Sequence, residues 1–317
     1  MCFECLPRRA LRAYQRPGMS GQTGHLPWRH VLLAVAVAAV WGTNFVVIKI
    51  ALAHLPPLLF AGLRFIFAFL PAAFFIRRPA VPWLQLAVYG VLIGAGQFGL
   101  LYIAMEHSIS PGLASLVVQT QVFFTIGLAM WFAAERVGSL QWLALALAAT
   151  GLGIIMAHGG SDVTPLGIAL VLLAALCWAG GNLVARAGGA VNMLAYVVWA
   201  SLFSIPPLLL LSLIFEGLPA IERGLGSADA VTWAAVLYQS AGNTLFGYAS
   251  WGWLLARHPA ATVSPFALLV PVFGMTASAL VMNEALQPWK LLAAVLVLSG
   301  LALNLAWPRL RAALARA

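Results

Sequence analysis

The sequence predicts an all-α polytopic membrane protein: ten transmembrane helices in two inverted five-helix repeats, with both termini cytoplasmic. Three observations predict it. The 317 residues are 63% hydrophobic and only 8% charged, whereas a soluble domain carries about 25% charged residues. The cations gather in alternate gaps between apolar runs. Residues 41–49, W-G-T-N-F-V-V-I-K, are echoed at 178–186 by W-A-G-G-N-L-V-A-R.

A helix needs about 20 apolar residues to cross the hydrocarbon core. Such segments run at about 31–53, 57–76, 82–105, 111–133, 139–157, 164–186, 192–215, 231–255, 261–282 and 287–307. Short gaps, several with proline (Pro56, Pro57, Pro79, Pro111, Pro165, Pro219, Pro259), make neighbours antiparallel. The alternating pattern of a membrane β-barrel is absent. Residues 1–29 read as a basic cytoplasmic tail with Arg8, Arg9, Arg12 and Arg16, and without the apolar core of a signal peptide. A native start at Met19 is expected. Residues 30–158 and 162–307 form the two repeats, and 308–317 a second basic cytoplasmic tail.

Cation placement sets the orientation. With the N-terminus inside, the inner gaps and tails hold thirteen arginines, including Arg77, Arg78, Arg136, Arg186 and Arg257. The outer gaps hold only Arg223 and Lys290, beside Glu106, Asp162, Glu216, Glu222, Asp229 and Glu284. The net charge of +9 is therefore a topology signal and excludes a nucleic-acid partner. A shift of 149 residues aligns Ser115 with Ser264, Glu135 with Glu284 and Gly151 with Gly300. Five spans per half is odd, so the halves insert oppositely. That arrangement places a substrate site near the midplane between repeats.

Polar groups inside spans are the candidate site. Trp41, Asn44 and Ile48 share one helix stripe, with Lys49 off it near the outer end. Lys49 reads either as a snorkelling lysine or as a cation for a substrate carboxylate. Arg64 lies about 12 Å into its span at helical rise and needs a partner: Glu106 or a substrate carboxylate. Gln119 and Gln121 lie on nearly opposite stripes, so only one faces a cavity unless the helix breaks. Gln97 follows Gly90 and Gly94, a small-residue pattern for close helix approach. Gly180 and Gly181 are expected to loosen the sixth span before Asn182. Trp178 precedes them as the counterpart of Trp41. Asn243 and Gly247 share a stripe near Tyr248 and Trp251. Pro265 and Pro271 are expected to interrupt the ninth span.

Several chemistries lack their apparatus. The sequence has no phosphate-binding loop, no intramembrane H-E-x-x-H and no mid-span carboxylate. Cys2 and Cys5 form a lone C-x-x-C, and Cys177 reads as packing; no metal or other cofactor is expected. No catalytic residues are assigned, and the chain is not expected to be an enzyme.

The run at 41–49, P-P-L-L-F-A-G-L-R-F at 56–65, P-G-L-A-S-L-V-V-Q-T-Q-V-F-F-T at 111–125, C-W-A-G-G-N at 177–182 and L-L-V-P-V-F-G at 268–274 resemble the EamA-type drug/metabolite transporters. Within that superfamily they are most similar to the proteobacterial O-acetylserine/cysteine exporters. The resemblance covers residues 30 to 307. It implies two inverted five-helix repeats, an inner-membrane location and export of small metabolites. The expected function is alternating-access export of amino acids, with cysteine or O-acetylserine as cargo. Trp41, Asn44, Arg64, Gln97, Gln119, Gln121, Trp178, Asn182 and Asn243 are the expected substrate contacts. Other cargo (aromatic amino acids, drug-like amines, nucleotide sugars) and a membrane-embedded lipid-acting enzyme are the alternatives. The expected partners are an amino-acid-like substrate, the bilayer and a second copy in a homodimer.

Overall fold

The computed structural model describes residues 26–133, 139–158, 163–189, 191–258 and 260–314. Glu135, Arg136, Asp162, Pro259, Cys2, Cys5, Met19 and the tail arginines before Pro27 lie outside these. The described residues form α1 (Trp28–Ala51), α2 (Pro57–Ala73), α3 (Trp83–His107), α4 (111–133), α5 (Ser139–Ala157), α6 (Pro165–Ala187), α7 (Met193–Phe215), a short α8 (Leu218–Ser227), α9 (230–257), α10 (260–281) and α11 (Pro288–Leu314). Eight of them are long and apolar enough to cross a membrane. α2 is a shorter apolar helix. α9 falls outside the eight because its middle carries Gln239, Ser240, Asn243 and Thr244.

Proline at the first helical turn, where an N–H has no partner in any case, starts α2, α4, α6 and α8. Four rods change helical type midway, in matching places. α3 has a π segment at Leu92–Gly99 and α9 one at Tyr238–Phe246. α4 tightens to a 3-10 turn at Val118–Thr120 and α10 at Ser264–Leu268. The break in α10 falls at Pro265, as its missing N–H requires. Pro271, in the first turn of the α-helical part that follows, leaves it unbroken. α6 is continuous through Gly180 and Gly181. The expected loosening there does not occur: both glycines instead admit α3, with Leu92 beside Gly180 and Ile93 against Gly181.

The packing repeats as well. α1 lies on α9 and α10, and α6 lies on α3 and α4. α2 crosses α7, α4 meets α10, and α5 meets α11. Exchanging the first five spans with the second five maps this set onto itself. Small residues make the close contacts, as expected where lipid removes the hydrophobic drive between helices. A side chain on Gly42 would meet the Val270 carbonyl at 2.5 Å. Gly90 and Gly94 touch Ala200 and Ser204 of α7.

At the end of the bundle where α1 and α3 terminate, carboxylates from the second half cap helices of the first. Glu216 accepts from the Leu58 and Leu59 amides at 2.6 and 3.1 Å, and from Ser212 Oγ. Glu284 accepts from the Gly112 amide at 3.1 Å, Ser110 Oγ at 2.6 Å, Ser278 Oγ and the buried Lys290 ammonium at 3.0 Å. Each satisfies amides that a helix start leaves without partners. Lys49 donates to the Met105 and Glu106 carbonyls at 2.9 and 2.6 Å, closing the end of α3. The unpaired carbonyls of a helix terminus at the bundle end therefore hold it.

Candidate functional site

The deepest polar cluster surrounds Arg64. The residue is 1% exposed, and a buried charge without partners is prohibitively costly. Its partners come from three helices. Nη1 donates to the Tyr102 hydroxyl at 3.0 Å, and Nη2 to Thr244 Oγ1 at 2.8 Å. The Tyr102 hydroxyl donates in turn to Gln239 Oε1 at 3.1 Å. The guanidinium stacks on Phe98, 3.8 Å from the ring centroid, with the edge of Phe65 beyond. Ser240 Oγ donates to the Arg64 carbonyl at 2.9 Å. The expected partner Glu106 is absent from this shell; its carboxylate stands at the end of α3, 3.8 Å from His107 Nε2. Among the described residues no carboxylate lies within ion-pair distance of Arg64. The charge is solvated by hydroxyls and an aromatic face but not neutralised.

Several buried polar atoms near mid-span lack a protein partner: Arg64 Nε, Gln239 Nε2, Gln97 Oε1 and Asn44 Oδ1. Such atoms are rare in folded interiors and cost free energy unless water or a ligand reaches them. They offer two donors and two acceptors, the inventory that a zwitterion needs.

The remaining candidates form two further groups. The Trp41 indole N–H donates to the Asn243 carbonyl at 3.1 Å, while its ring lies 5.7 Å from Tyr248 and 5.3 Å from Trp251. Gly247 is what lets the indole lie against α9. On the other side, Asn182 Nδ2 donates to Gln121 Oε1 at 3.0 Å, and Thr125 Oγ1 donates to the Gln121 carbonyl. Gln119 is buried within the 3-10 turn and Gln121 directly follows it, so the helix changes type where the two glutamines sit. Trp178 is half-buried against the main core. Of the nine candidates, Arg64 thus sits in the first cluster, Trp41 meets Asn243 and Gln121 meets Asn182, while Asn44, Gln97, Gln119 and Trp178 make no hydrogen bond to any of these among the described residues.

Sequence reasoning overlooked Tyr102, Gln239, Thr244 and Phe98. A signal existed. A-G-Q-F-G-L-L-Y at 95–102 matches A-G-N-T-L-F-G-Y at 241–248, so an amide within the π segment and a tyrosine just after it recur at one register in both helices. The offset differs from the one that aligns the fourth spans.

The EamA-like transporter family model matches residues 28–157 and again 165–306. A protein of Salmonella typhimurium named "Probable amino-acid metabolite efflux pump" is 40% identical over 285 residues, covering 88% of this chain and 95% of the relative. An Escherichia coli protein of the same name is 39% identical over 279 residues, 86% of this chain and 93% of its own length. A solved structure described only as "Crystal structure of protein" superposes with a TM-score of 0.59 at 16% identity, covering 87% of this chain and 96% of that one. That likeness shows a shared fold.

Proposed function

This chain belongs to the EamA-like transporter family, and from that premise we propose that it exports amino acids or closely related metabolites across the inner membrane, with cysteine and O-acetylserine the favoured cargo. It is a multi-pass inner-membrane protein, and its relatives point to a transporter rather than an enzyme. In this reading α2 and α9 also cross the bilayer, giving ten spans in two inverted five-helix repeats, at residues 30–158 and 162–307, with both termini cytoplasmic. The self-mapping packing pairs and the matched π and 3-10 segments support the repeat. The capped Glu216 and Glu284 end is then the outer face. Alternating access would exchange the α1–α10 and α4–α6 contacts as the halves rock.

One observation carries the site: Arg64 is a buried cation with no carboxylate partner among the described residues, at the contact of α2, α3 and α9. A substrate carboxylate would neutralise it, and the unpaired amides of Gln239, Gln97 and Asn44 would take the remaining polar groups. Trp41, Gln119, Gln121, Trp178, Asn182 and Asn243 would line the path around it. The aromatic set of Trp41, Tyr248 and Trp251 favours a second cargo, an aromatic amino acid.

The test is efflux from loaded right-side-out vesicles of labelled cysteine, O-acetylserine and tryptophan, each beside its decarboxylated amine. Export of the amino acids and not of the amines is expected. Equal export of the amines would remove the carboxylate from the recognition scheme. If cysteine and O-acetylserine stay behind while tryptophan moves, the second cargo replaces the first.

A further inference from the structure

At the bundle end opposite Glu284, a cavity of about 510 Å³ opens between the chain leaving α2 and the start of α7. Phe75, Ile76, Arg77, Arg78, Pro79, Ala80, Val191, Asn192 and Ala195 line it. We infer that this cavity binds the phosphate headgroup of an anionic phospholipid.

Charge complementarity comes first. Two adjacent guanidiniums line the cavity and no carboxylate does. Arg78 is held from below by the Trp83 ring, 4.4 Å from its centroid, so its side chain is oriented before any ligand arrives. Arg77 is exposed and has no ion-pair partner among the described residues. The start of α7 adds donors: Asn192 Oδ1 takes the Ala195 amide, and the other first-turn amides have no partner within the helix.

The second observation is the apolar flank beside the cavity. Phe74 and Phe75 are 83% and 88% exposed, and Leu70, Trp83 and Leu84 are exposed with them. Behind them, Trp83 and Trp199 pack edge to face, and the Trp199 indole N–H donates to the Ile76 carbonyl at 2.9 Å. A basic pocket beside an exposed apolar surface has the two chemistries of a phospholipid. A free anion would use the arginines and leave the flank unexplained. By the cation asymmetry this end faces the cytoplasm, where the leaflet is anionic.

The experiment uses the full-length protein purified in detergent. Native mass spectrometry counts bound phosphatidylglycerol or phosphatidylcholine during titration, and melting is followed in parallel. The wild type should retain phosphatidylglycerol in preference to phosphatidylcholine and melt higher with it. Arg77→Gln and Arg78→Gln should each weaken that retention about fivefold, the share of one surface arginine, with melting in phosphatidylcholine unchanged for Arg77→Gln. Arg77→Gln alone suffices if loss of the Trp83 contact destabilises the other variant. Arg186→Gln, an exposed cation that does not line the cavity, should retain the lipid as the wild type does. An equal loss for Arg186→Gln would mean a diffuse surface potential and overturn the site. Raised melting with inorganic phosphate alone, equal to that with phosphatidylglycerol, would overturn the lipid assignment. So would equal retention of the two lipids.

Discussion

α3 and α9 carry the same irregularity at the same register, and each leans on the second helix of the other half. The contacts they make differ in kind. α3 meets α7 through Gly90 and Gly94, with Ser204 Oγ donating to the Gly90 carbonyl at 2.8 Å. That contact is steric: small residues let two backbones approach. α9 meets α2 through Ser240 and Thr244, which hold both the carbonyl and the guanidinium of Arg64. α7 offers Ala200 and Ser201 at the corresponding depth, and Ser201 bonds only back to Val197. The backbone is thus duplicated and the charge is not. A duplicated frame can rock about its own pseudo-symmetry, while a single cation gives one fixed polarity for a carboxylate. On the proposed function, the symmetric packing serves closure and the asymmetric contacts serve recognition.

Removing the asymmetry should have the largest effect. Arg64→Leu, close in volume and free of a buried charge, should fold and leave efflux at least about 100-fold lower, the worth of hydrogen bonds to a charged group. Ser201→Ala, its counterpart in the other half, should stay within about twofold, since it loses one local hydrogen bond. Vesicle efflux at matched membrane levels measures both. Equal losses would mean that the halves contribute alike and that Arg64 is only structural.

The two tyrosines sharpen the same contrast. Tyr102 accepts directly from Arg64, whereas Tyr248 at the matching register faces Tyr89 and meets Arg64 only through its field. Tyr102→Phe should reduce efflux about 10-fold or more, because a donor of Arg64 is left unpaired. Tyr248→Phe should cost several-fold less. The same vesicle assay, run at saturating and at low substrate, reports whether affinity or turnover carries the difference.

The scaffold was legible from periodicity and charge, because lipid imposes long apolar runs and sorts the cations. Trp41, Asn44, Arg64, Gln97 and Asn243 stood out as polar letters in apolar spans. Their partners did not. Tyr102 and Phe98 look like ordinary core aromatics, and Thr244 has a mid-span neighbourhood of similar residues. Only the meeting of α2 with α3 and α9 selects them. Glu106 was the wrong partner for Arg64 because linear proximity to a span end says nothing of which helix terminus needs a cation. The open carbonyls of α3 claimed Lys49 instead. Likewise Gly180 and Gly181 were read as breakers, yet a glycine pair inside a membrane serves approach as readily as unwinding.

The tryptophan echo offers a milder comparison. Trp41 spends its indole N–H on the Asn243 carbonyl in the π segment, and Trp178 packs half-buried on the core with no hydrogen bond among the described residues. Trp41→Phe should lower efflux about fivefold, the worth of one neutral hydrogen bond. Trp178→Phe should change it by less than half of that. If the two substitutions are equal, ring bulk rather than the hydrogen bond is what the echo preserves.

The smallest effect lies where the two helices begin. α3 starts at Pro82 with no side-chain cap. α9 starts at Asp229, whose carboxylate accepts from the Thr232 amide at 2.8 Å and its hydroxyl at 2.7 Å. These bonds favour the ionised form and hold the Asp229 carboxyl below its usual value, the amide bond foremost. A depressed acid contributes stability that is complete above its unfolded value and is lost as pH falls through its folded one. The difference in melting temperature between wild type and Asp229→Asn should therefore be small at neutral pH and vanish on acidification below the ordinary aspartate range. Pro82→Ala, which removes no titrating cap, should show no such pH dependence. A gap that widened in acid would mean that the cap does not act through the carboxylate, and the start of α9 would then be no different in kind from that of α3.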